Sequence, residues 1–175
     1  MNLLVTGLSG VVGQALKPAE NSIVTRPGRY YNMCTNYAIV GEVFTKTTYK
    51  IEEQWEGTNQ IFRAVVATGD TYLYGPDTTE EEAKALWVDA PQATYVAVED
   101  GRVIGTYTLK PNQPALGAHV CNAGYMVAPD ARGKGIGRAL CVHSLDEARK
   151  FGFRSMQYNL VVSTNKGAIR LWTKM

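Results

Sequence analysis

Residues 127–140 read VAPDARGKGIGRAL. This stretch joins the end of an apolar strand to the start of a helix through a glycine-rich turn, residues 132–137. Because glycine has no Cβ, the three glycines of the turn allow positive φ and let several backbone N–H groups point at one anion. The helix N-terminus adds roughly half a positive charge, and Arg132, Lys134 and Arg138 add whole charges. The stretch therefore predicts a cradle for a pyrophosphate.

Strand and helix signals follow one another on both sides of this turn. Residues 77–87 begin with a capping residue, Asp77, and acidic residues, so they predict a helix that ends near Val88. Asp100 and Gly101 stand between two apolar runs and predict a type I′ hairpin turn. The other predicted elements are the hairpin strands 94–99 and 103–110, strands 119–129 and 155–163, and helices 133–151 and 165–175. The periodicity of residues 60–68 fits either a helix or a strand, and a helix is favoured.

Composition narrows the function classes. The chain has 175 residues, 45% hydrophobic and 19% charged, which indicates a single globular domain with a real core. A net charge of +2 without long basic runs does not favour nucleic acid as a partner. Three cysteines without a CxxC pair and only two histidines predict no metal site and no disulfide framework. With neither an 18-residue apolar run nor a signal-peptide pattern, a cytoplasmic enzyme that does not bind membranes is expected.

Residues 1–45 differ in composition from the remainder and form a strand-rich leader, with predicted strands at 3–6 and 30–44. Residues 6–13, TGLSGVVG, resemble the opening of short-chain dehydrogenases, with a helix starting at Gln14. A small NAD-binding oxidoreductase is therefore one alternative. A dinucleotide fold needs a crossover helix of ten or more residues, whereas Pro18 follows five residues after the last glycine, so a simple glycine turn is favoured.

A second motif lies in the C-terminal part. Residues 132–137 have the form R-x-x-G-x-G, and residues 165–172 follow with Asn-x-x-Ala-x-x-Leu-aromatic. With the strand and helix around them, these motifs resemble the GCN5-related N-acetyltransferases over residues from about 55 to 175. The resemblance implies an α/β (α+β) domain at 46–175 with a mixed, mostly antiparallel sheet flanked by helices. It also implies acetyl-CoA as cosubstrate and direct acetyl transfer, within a ternary complex, to a small amine or imino acid.

The resemblance also implies how the cofactor is held. The glycine turn would bind the CoA diphosphate, and a bulge at Met126 and Val127 would free backbone N–H groups for the thioester carbonyl. Asn165 matches the family asparagine that contacts the pantetheine arm, and it can serve as a helix N-cap as well. The expected cofactor-binding residues are Met126, Val127, Arg132, Gly133, Lys134, Gly135, Ile136, Gly137, Arg138 and Asn165.

Acceptor binding is implied by a narrower resemblance. The strings at 105–112, 119–124 and 159–165 resemble the yeast proline-analogue acetyltransferases, which act on azetidine-2-carboxylate. In that group two asparagines hold the substrate, and Asn122 and Asn159 match them; a purely structural role for both stays open. His119 is a candidate base. Many family members have a tyrosine on the last helix that acts as the general acid for the CoA thiolate. Trp172 stands at this position, and its indole N–H does not ionise usefully.

The end of the chain raises a further hypothesis. Family members continue past the last helix into two strands, which this sequence lacks. The leader is expected to take their places, within the chain or by strand exchange in a homodimer, because an uncovered apolar strand promotes aggregation. The rival hypothesis is a fused or truncated product that acetylates poorly. A non-catalytic acyl-CoA-binding or sensor module is the second function class.

Overall fold

The computed structural model describes the backbone of residues 2–7 and 10–15, and both backbone and side chains of residues 54–175. Six strands form one sheet in the order β2-β1-β6-β5-β4-β3. The strands are β1 Asn2–Gly7, β2 Gly10–Ala15, β3 Ala93–Glu99, β4 Arg102–Pro111, β5 Val120–Val127 and β6 Ser155–Val161. The helices are α1 Trp55–Val66, α2 Glu80–Lys84, α3 Ile136–Lys150 and α4 Lys166–Lys174, and α2 continues into a π-helical turn, Ala85–Asp89.

Helices cover both faces of the sheet, and two neighbouring residues of β4 show which helix lies where. Gly105 faces α3, where an added Cβ would lie 3.0 Å from Ile136 and 3.1 Å from Leu140. Thr106 faces the other side and accepts a 3.0 Å hydrogen bond from the indole of Trp87. Because successive side chains of a strand alternate between faces, α3 packs on one face and the α1/α2 side on the other. The missing side chain of Gly105 lets the start of α3 sit close to the sheet.

Strands β5 and β6 are parallel but paired only at their beginnings. Val120 pairs with Ser155 and Cys121 with Met156, and the pairing stops there. The strands then diverge and leave a gap, bounded by residues 122–127 of β5 and 157–161 of β6. We call this opening the β5–β6 gap.

The first strand lies on the other edge of β6. β1 pairs with β6 in parallel from Asn2↔Ser155 to Gly7↔Val161. This is the position that the leader hypothesis requires for residues 3–6, whereas residues 30–44 lie outside the described residues. The predicted helix start at Gln14 is wrong, because β2 pairs antiparallel with β1 through Ala15. A β-hairpin thus stands where a dinucleotide-binding fold would need a helix.

Local signals predict some boundaries well and others less so. Asp100 and Gly101 have φ of 50° and 78°, which confirms the type I′ turn. The N-cap of α2 is Thr79, not Asp77. Its side chain accepts from the backbone N–H of Glu82, whose carboxylate accepts in turn from the N–H of Thr79, so a capping box fixes the start.

Candidate active site

The glycine turn of residues 132–137 has the geometry of an anion cradle. Gly133 and Gly135 have φ of 80° and 85°, and an added Cβ at either would meet nothing within 4 Å. Gly135 is the N-cap of α3, whose first N–H groups have no intrahelical acceptor. Ile136 is buried, which anchors the helix start below the turn. The turn therefore leaves open space and backbone N–H groups for an anion, and the binding of a diphosphate there stays a prediction.

Positive charge surrounds this turn. Arg132 and Lys134 are exposed, and Lys134 lies 3.8 Å from Glu99. Asp130, the nearest acid in sequence, is held by two hydrogen bonds of 2.6 and 2.9 Å from Arg102. These bonds hold the pKa of Asp130 below its usual range. Because the charge of Arg102 balances that of Asp130, the Asp130 carboxylate weakens the attraction of the cradle for an anion only slightly.

The backbone of β5 presents alternate N–H groups to the β5–β6 gap. Asn112 N–H donates to Val120 O, and Ala128 N–H donates to Ile104 O. In an antiparallel ladder, every second residue directs its N–H and C=O to the same neighbour. Met126 therefore faces β4, and Val127 faces the gap.

This arrangement corrects the predicted bulge. The register of β5 with β4 is continuous from Cys121 to Val127. The divergence of β6, rather than an inserted residue, leaves the Val127 N–H without a strand partner. Of the two predicted residues, only Val127 can offer its N–H to a carbonyl oxygen in the gap.

Tyr72 closes part of the gap from the α1/α2 side. Its hydroxyl donates a 2.9 Å hydrogen bond to the carbonyl of Tyr125. Its ring stacks on Tyr74 at 5.6 Å and meets Trp87 edge-on at 5.7 Å. Burial raises the pKa of Tyr72 well above its ordinary value, so the hydroxyl stays protonated. No local sequence signal indicates this residue, because it lies in the loop after α1 and reaches β5 only through the fold.

Four side-chain amides cross the start of the gap. Asn122 Nδ2 donates to the backbone carbonyl of Gln157 at 2.8 Å. Gln157 Nε2 donates to Asn159 Oδ1 at 3.0 Å, and Asn159 Nδ2 donates to Asn112 Oδ1 at 2.6 Å. We call these four residues the amide cluster. The two predicted asparagines are thus linked through Gln157, and Gln157 and Asn112 are residues that no local sequence signal indicates.

Opposite the amide cluster, on the α3 face, lies a second polar group of side chains. Tyr125 Oη lies 2.6 Å from Ser144 Oγ and 3.0 Å from Tyr158 Oη. Cys141 Sγ lies 3.4 Å from Tyr158 Oη, and Ser144 Oγ donates to the Cys141 carbonyl. Burial raises the pKa of Cys141 to about 11 and holds the pKa of each tyrosine well above its ordinary value, so the group is neutral. We call it the tyrosine network; it ties α3 to both diverging strands.

Helix α4 lies beside both the cradle and the gap. Asn165 Oδ1 accepts from Ala168 N–H at 3.1 Å, which shows that Asn165 is the N-cap. Leu171 approaches to 4.0 Å from where a Cβ of Gly137 would be. Trp172 stacks on Tyr158 with ring centroids 4.3 Å apart. Within the described part of the chain, its buried Nε1 has no hydrogen-bond partner.

The histidines do not supply an obvious base. His119 is exposed, and its Nδ1 lies 2.8 Å from the carbonyl of Leu116. His143, which the sequence analysis did not consider, lies on α3 with its Nδ1 2.7 Å from Tyr107 Oη. Burial lowers its pKa to about 3, so it is neutral at ordinary pH. Residues 54–175 contain no group of three or more metal-ligating side chains, and the helices among them are too short or too polar to cross a membrane.

Comparisons with known proteins agree with this geometry. The profile of the acetyltransferase (GNAT) family matches residues 51–175. N-acetyltransferase aca1 of Schizosaccharomyces pombe is 44% identical over 73 residues, 42% of this chain, and the match spans only 35% of that relative. A GCN5-related N-acetyltransferase from Kribbella flavida has a TM-score of 0.67 and 42% identity, covering 74% of this chain and 78% of its own. The yncA protein of Salmonella typhimurium, solved with its cofactor acetyl-CoA, shares the fold with a TM-score of 0.63 and 24% identity over 71% of this chain and 73% of its own.

The family profile covers well over half of the chain. The protein therefore belongs to the GNAT family of acetyltransferases, whose members use acetyl-CoA. The mixed, mostly antiparallel sheet flanked by helices, which the sequence predicts, is confirmed by this fold comparison.

Proposed function

We propose that the protein transfers the acetyl group of acetyl-CoA directly to a small amine or imino acid, without a covalent enzyme intermediate. The carrying observation is the β5–β6 gap, which is flanked by the anion cradle and α4 and crossed at its start by the amide cluster. A cofactor whose diphosphate sits in the cradle can extend along α4 to the gap. An acceptor on the α1/α2 side would then meet the thioester through the sheet.

The cofactor side uses mostly backbone groups. The N–H groups of Gly133, Gly135 and Gly137 and the charges of Arg132, Lys134 and Arg138 would hold the diphosphate, with Ile136 anchoring the helix start. When bound, acetyl-CoA supplies the thioester that is attacked. The N–H of Val127 would polarise the thioester carbonyl, and Met126 would hold this part of β5 in its ladder with β4. Asn165 fixes the start of α4 beside the pantetheine path.

The acceptor side uses the amide cluster. Asn122 and Asn159 are proposed to position the acceptor nitrogen, and a positioned nucleophile can lower a barrier by several kcal/mol. The narrower resemblance to proline-analogue acetyltransferases supports an imino acid as one substrate. The name of the relative aca1 specifies acetyl transfer to nitrogen, which agrees with an amine as the acceptor.

Proton transfers in this proposal rely on water. The amine nitrogen forms a bond to the carbonyl carbon, the C–S bond breaks, and the thiolate leaves. The amine proton passes to solvent, because the described residues around the amide cluster include no histidine or carboxylate within hydrogen-bonding distance of it. Trp172 can donate a hydrogen bond but does not ionise, so it cannot protonate the thiolate.

The test is an incubation of the purified protein with acetyl-CoA and a panel of amino and imino acids that includes azetidine-2-carboxylate and proline. We expect free thiol and an N-acetylated product in equal amounts, detected by a thiol reagent and mass spectrometry. A blank without amine corrects for hydrolysis. Tight CoA binding with no thiol release from any amine would instead identify an acyl-CoA-binding module.

We also infer that residues 1–45 complete the sheet beside β6, within one chain or between two. The pairing of β1 with β6 supports this inference. Deletion of residues 1–45 should then give an aggregating protein, whereas a cooperatively folding monomer would contradict it. Mass photometry of the full chain would distinguish a monomer from a homodimer with exchanged strands.

A further inference from the structure

The hydroxyl of Tyr72 reaches the β5–β6 gap from the α1/α2 side, beside the backbone that would polarise the thioester. We propose that Tyr72 is a positioning residue for acetyl transfer: it occupies the carbonyl of Tyr125, so that the Val127 N–H faces the gap without a competing acceptor beside it. Negative charge that develops on the thioester oxygen then meets a donor and not the negative end of a carbonyl dipole. This inference rests on the proposed acetyl transfer and deepens it.

The backbone pattern of β5 places the two groups side by side. Ala128 N–H donates to Ile104 O, and the register with β4 is continuous, so Tyr125 and Val127 direct their backbone N–H and C=O groups to the gap. Along this edge the Tyr125 carbonyl is followed directly by the Val127 N–H. A bare carbonyl at this place would oppose an anionic oxygen bound by its neighbour.

Tyr72 satisfies that carbonyl with a direct hydrogen bond. Its hydroxyl donates to Tyr125 O at 2.9 Å. Burial raises the pKa of Tyr72 well above its ordinary value, so the hydroxyl remains a donor throughout the ordinary pH range. The bound hydroxyl therefore offsets part of the negative potential that the carbonyl would direct into the gap.

The fold holds this hydroxyl in place. The Tyr72 ring stacks on Tyr74 at 5.6 Å and meets Trp87 edge-on at 5.7 Å. Gly124 makes room for the hydroxyl, since a Cβ there would lie 3.1 Å from Tyr72 Oη. Gly124 does not have a positive φ, so its missing side chain, and not its backbone freedom, matters here. The packed ring and the glycine together direct the hydroxyl to the gap.

Tyr74 provides a matched control for a merely structural role. It stacks on Phe62 at 5.4 Å as well as on Tyr72, and burial raises its pKa too. Its hydroxyl, unlike that of Tyr72, has no hydrogen-bond partner among residues 54–175. Tyr72→Phe and Tyr74→Phe each remove one hydroxyl from the same aromatic stack, and only the first frees the Tyr125 carbonyl.

The first experiment needs no turnover. Calorimetry measures the binding of two CoA thioethers: S-carboxymethyl-CoA, which carries negative charge near the position of the thioester oxygen, and S-ethyl-CoA, which is neutral there and of similar size. We expect Tyr72→Phe to weaken the binding of carboxymethyl-CoA about threefold to tenfold and to leave that of ethyl-CoA unchanged. Tyr74→Phe should leave both unchanged. An equal change for both ligands, or no change for carboxymethyl-CoA, would overturn the inference.

Gly124→Ala is a second variant that keeps the Tyr72 hydroxyl. The added methyl group would lie 3.1 Å from Tyr72 Oη and should move the hydroxyl away from the Tyr125 carbonyl. The binding of carboxymethyl-CoA should therefore weaken selectively, by about twofold or more, because the hydrogen bond lengthens. If Tyr72→Phe does not yield a folded protein, this variant takes its place, and an unchanged affinity for carboxymethyl-CoA would overturn the inference.

Steady-state kinetics give the second readout. With an amine that the wild type acetylates, Tyr72→Phe should lower kcat about threefold to tenfold and leave both KM values within about twofold, because the oxygen gains its charge only during transfer. Tyr74→Phe should behave as wild type. A loss that appears in KM alone would assign Tyr72 to ground-state binding and overturn its positioning role.

The two experiments separate this inference from the proposed function. If no amine is acetylated but Tyr72→Phe selectively weakens the binding of carboxymethyl-CoA, acetyl transfer is rejected and the role of Tyr72 at the gap is supported. If acetyl transfer occurs and Tyr72→Phe matches Tyr74→Phe in both experiments, the proposed function stands and the inference is overturned.

Discussion

The amide cluster and the tyrosine network lie on opposite faces of the same two strands, and they differ in their unused hydrogen-bonding capacity. In the tyrosine network, the Tyr125 hydroxyl bonds Ser144 and Tyr158, and the Tyr158 hydroxyl also contacts Cys141, so these polar groups use one another as partners. In the amide cluster, each side-chain amide keeps a hydrogen-bond donor or acceptor that no residue of the cluster uses, at the surface of the gap. Polar side chains inside a fold therefore do not by themselves indicate a binding site. Hydrogen-bond donors and acceptors that stay unused beside an opening do indicate one.

The largest expected effect is a loss of CoA affinity on substitution in the cradle, which lies outside both the amide cluster and the tyrosine network. Gly135→Val places a β-branched residue at φ of 85° in the cradle, and it should weaken CoA binding about a hundredfold or more. Gly152→Val is the matched control, because Gly152 has φ of 81° and open space around it but lies at the far end of α3. Calorimetry measures the binding, and circular dichroism checks the fold.

Both glycine variants should lose a similar stability, about 1–2 kcal/mol, from backbone strain. Only the Gly135 variant should lose the cofactor. Unchanged CoA affinity in Gly135→Val would refute the cradle.

The next effect is a pH dependence of stability that comes from His143, and it tests whether the α3 face excludes water and protons. His143 packs against Tyr107 and Tyr95, close to Glu147 and Lys150, and burial lowers its pKa from 6.5 to about 3. Because the folded pKa lies below the unfolded one, the unfolded state takes up a proton first as pH falls. Stability should therefore decrease below pH 6.5, by about 2 kcal/mol between pH 7 and 5.

The measurement is urea unfolding of the wild type and His143→Asn across this range. Asparagine can still form a hydrogen bond with the Tyr107 hydroxyl, because its amide both donates and accepts. The pH dependence of the difference between the two proteins isolates His143 from the carboxylates. A flat difference between pH 7 and 5 would show that His143 is protonated in the folded state.

A smaller effect sharpens the role of the amide cluster. Asn122→Ala and Asn159→Ala should each lower kcat/KM for an imino-acid acceptor about tenfold, because each removes one contact that positions it. Both sites are at least partly exposed, so unfolding free energies should change by under about 1 kcal/mol. Steady-state kinetics and urea unfolding provide the two readouts. Large losses of stability with unchanged kinetics would make the amides structural.

The smallest effect is expected from the tyrosine network. Tyr158→Phe keeps the stacking on Trp172 but removes the hydroxyl shared with Tyr125 and Cys141. The cost should be about 1 kcal/mol of stability, because a buried partner loses one hydrogen bond. Kinetic constants should stay within about twofold. A tenfold fall in kcat at unchanged stability would place this network in the reaction and break the comparison.

Sequence reasoning reached the parts of the site that depend on local chemistry. The cradle needs positive φ at Gly133 and Gly135, and the hairpin turn needs it at Asp100 and Gly101, so residue type alone indicates them. The start of α2 shows the limit even of local signals, because both Asp77 and Thr79 are good capping residues. Each also has a glutamate three residues later, Glu80 or Glu82, so the sequence does not distinguish them, and only the structure shows that Thr79 forms the capping box.

The acceptor side depends on contacts between distant parts of the chain. Asn112 and Asn159 are 47 residues apart, and Tyr72 and Tyr125 are 53 apart. No periodicity links such pairs, so Asn112, Gln157 and Tyr72 could not be predicted. Family resemblance indicated Asn122 and Asn159 but implied a bulge at Met126 and Val127. The structure has instead a divergence of two strands.

The most direct test of the account is a titration of the CoA-loaded protein with azetidine-2-carboxylate, observed through the side-chain amide resonances of the amide cluster. We predict that the Asn112, Asn122 and Asn159 resonances shift in a saturable manner, while the backbone resonances of Ser144 and Cys141 in the tyrosine network stay in place. Unchanged resonances of the amide cluster at saturating acceptor would contradict its assignment as the acceptor site.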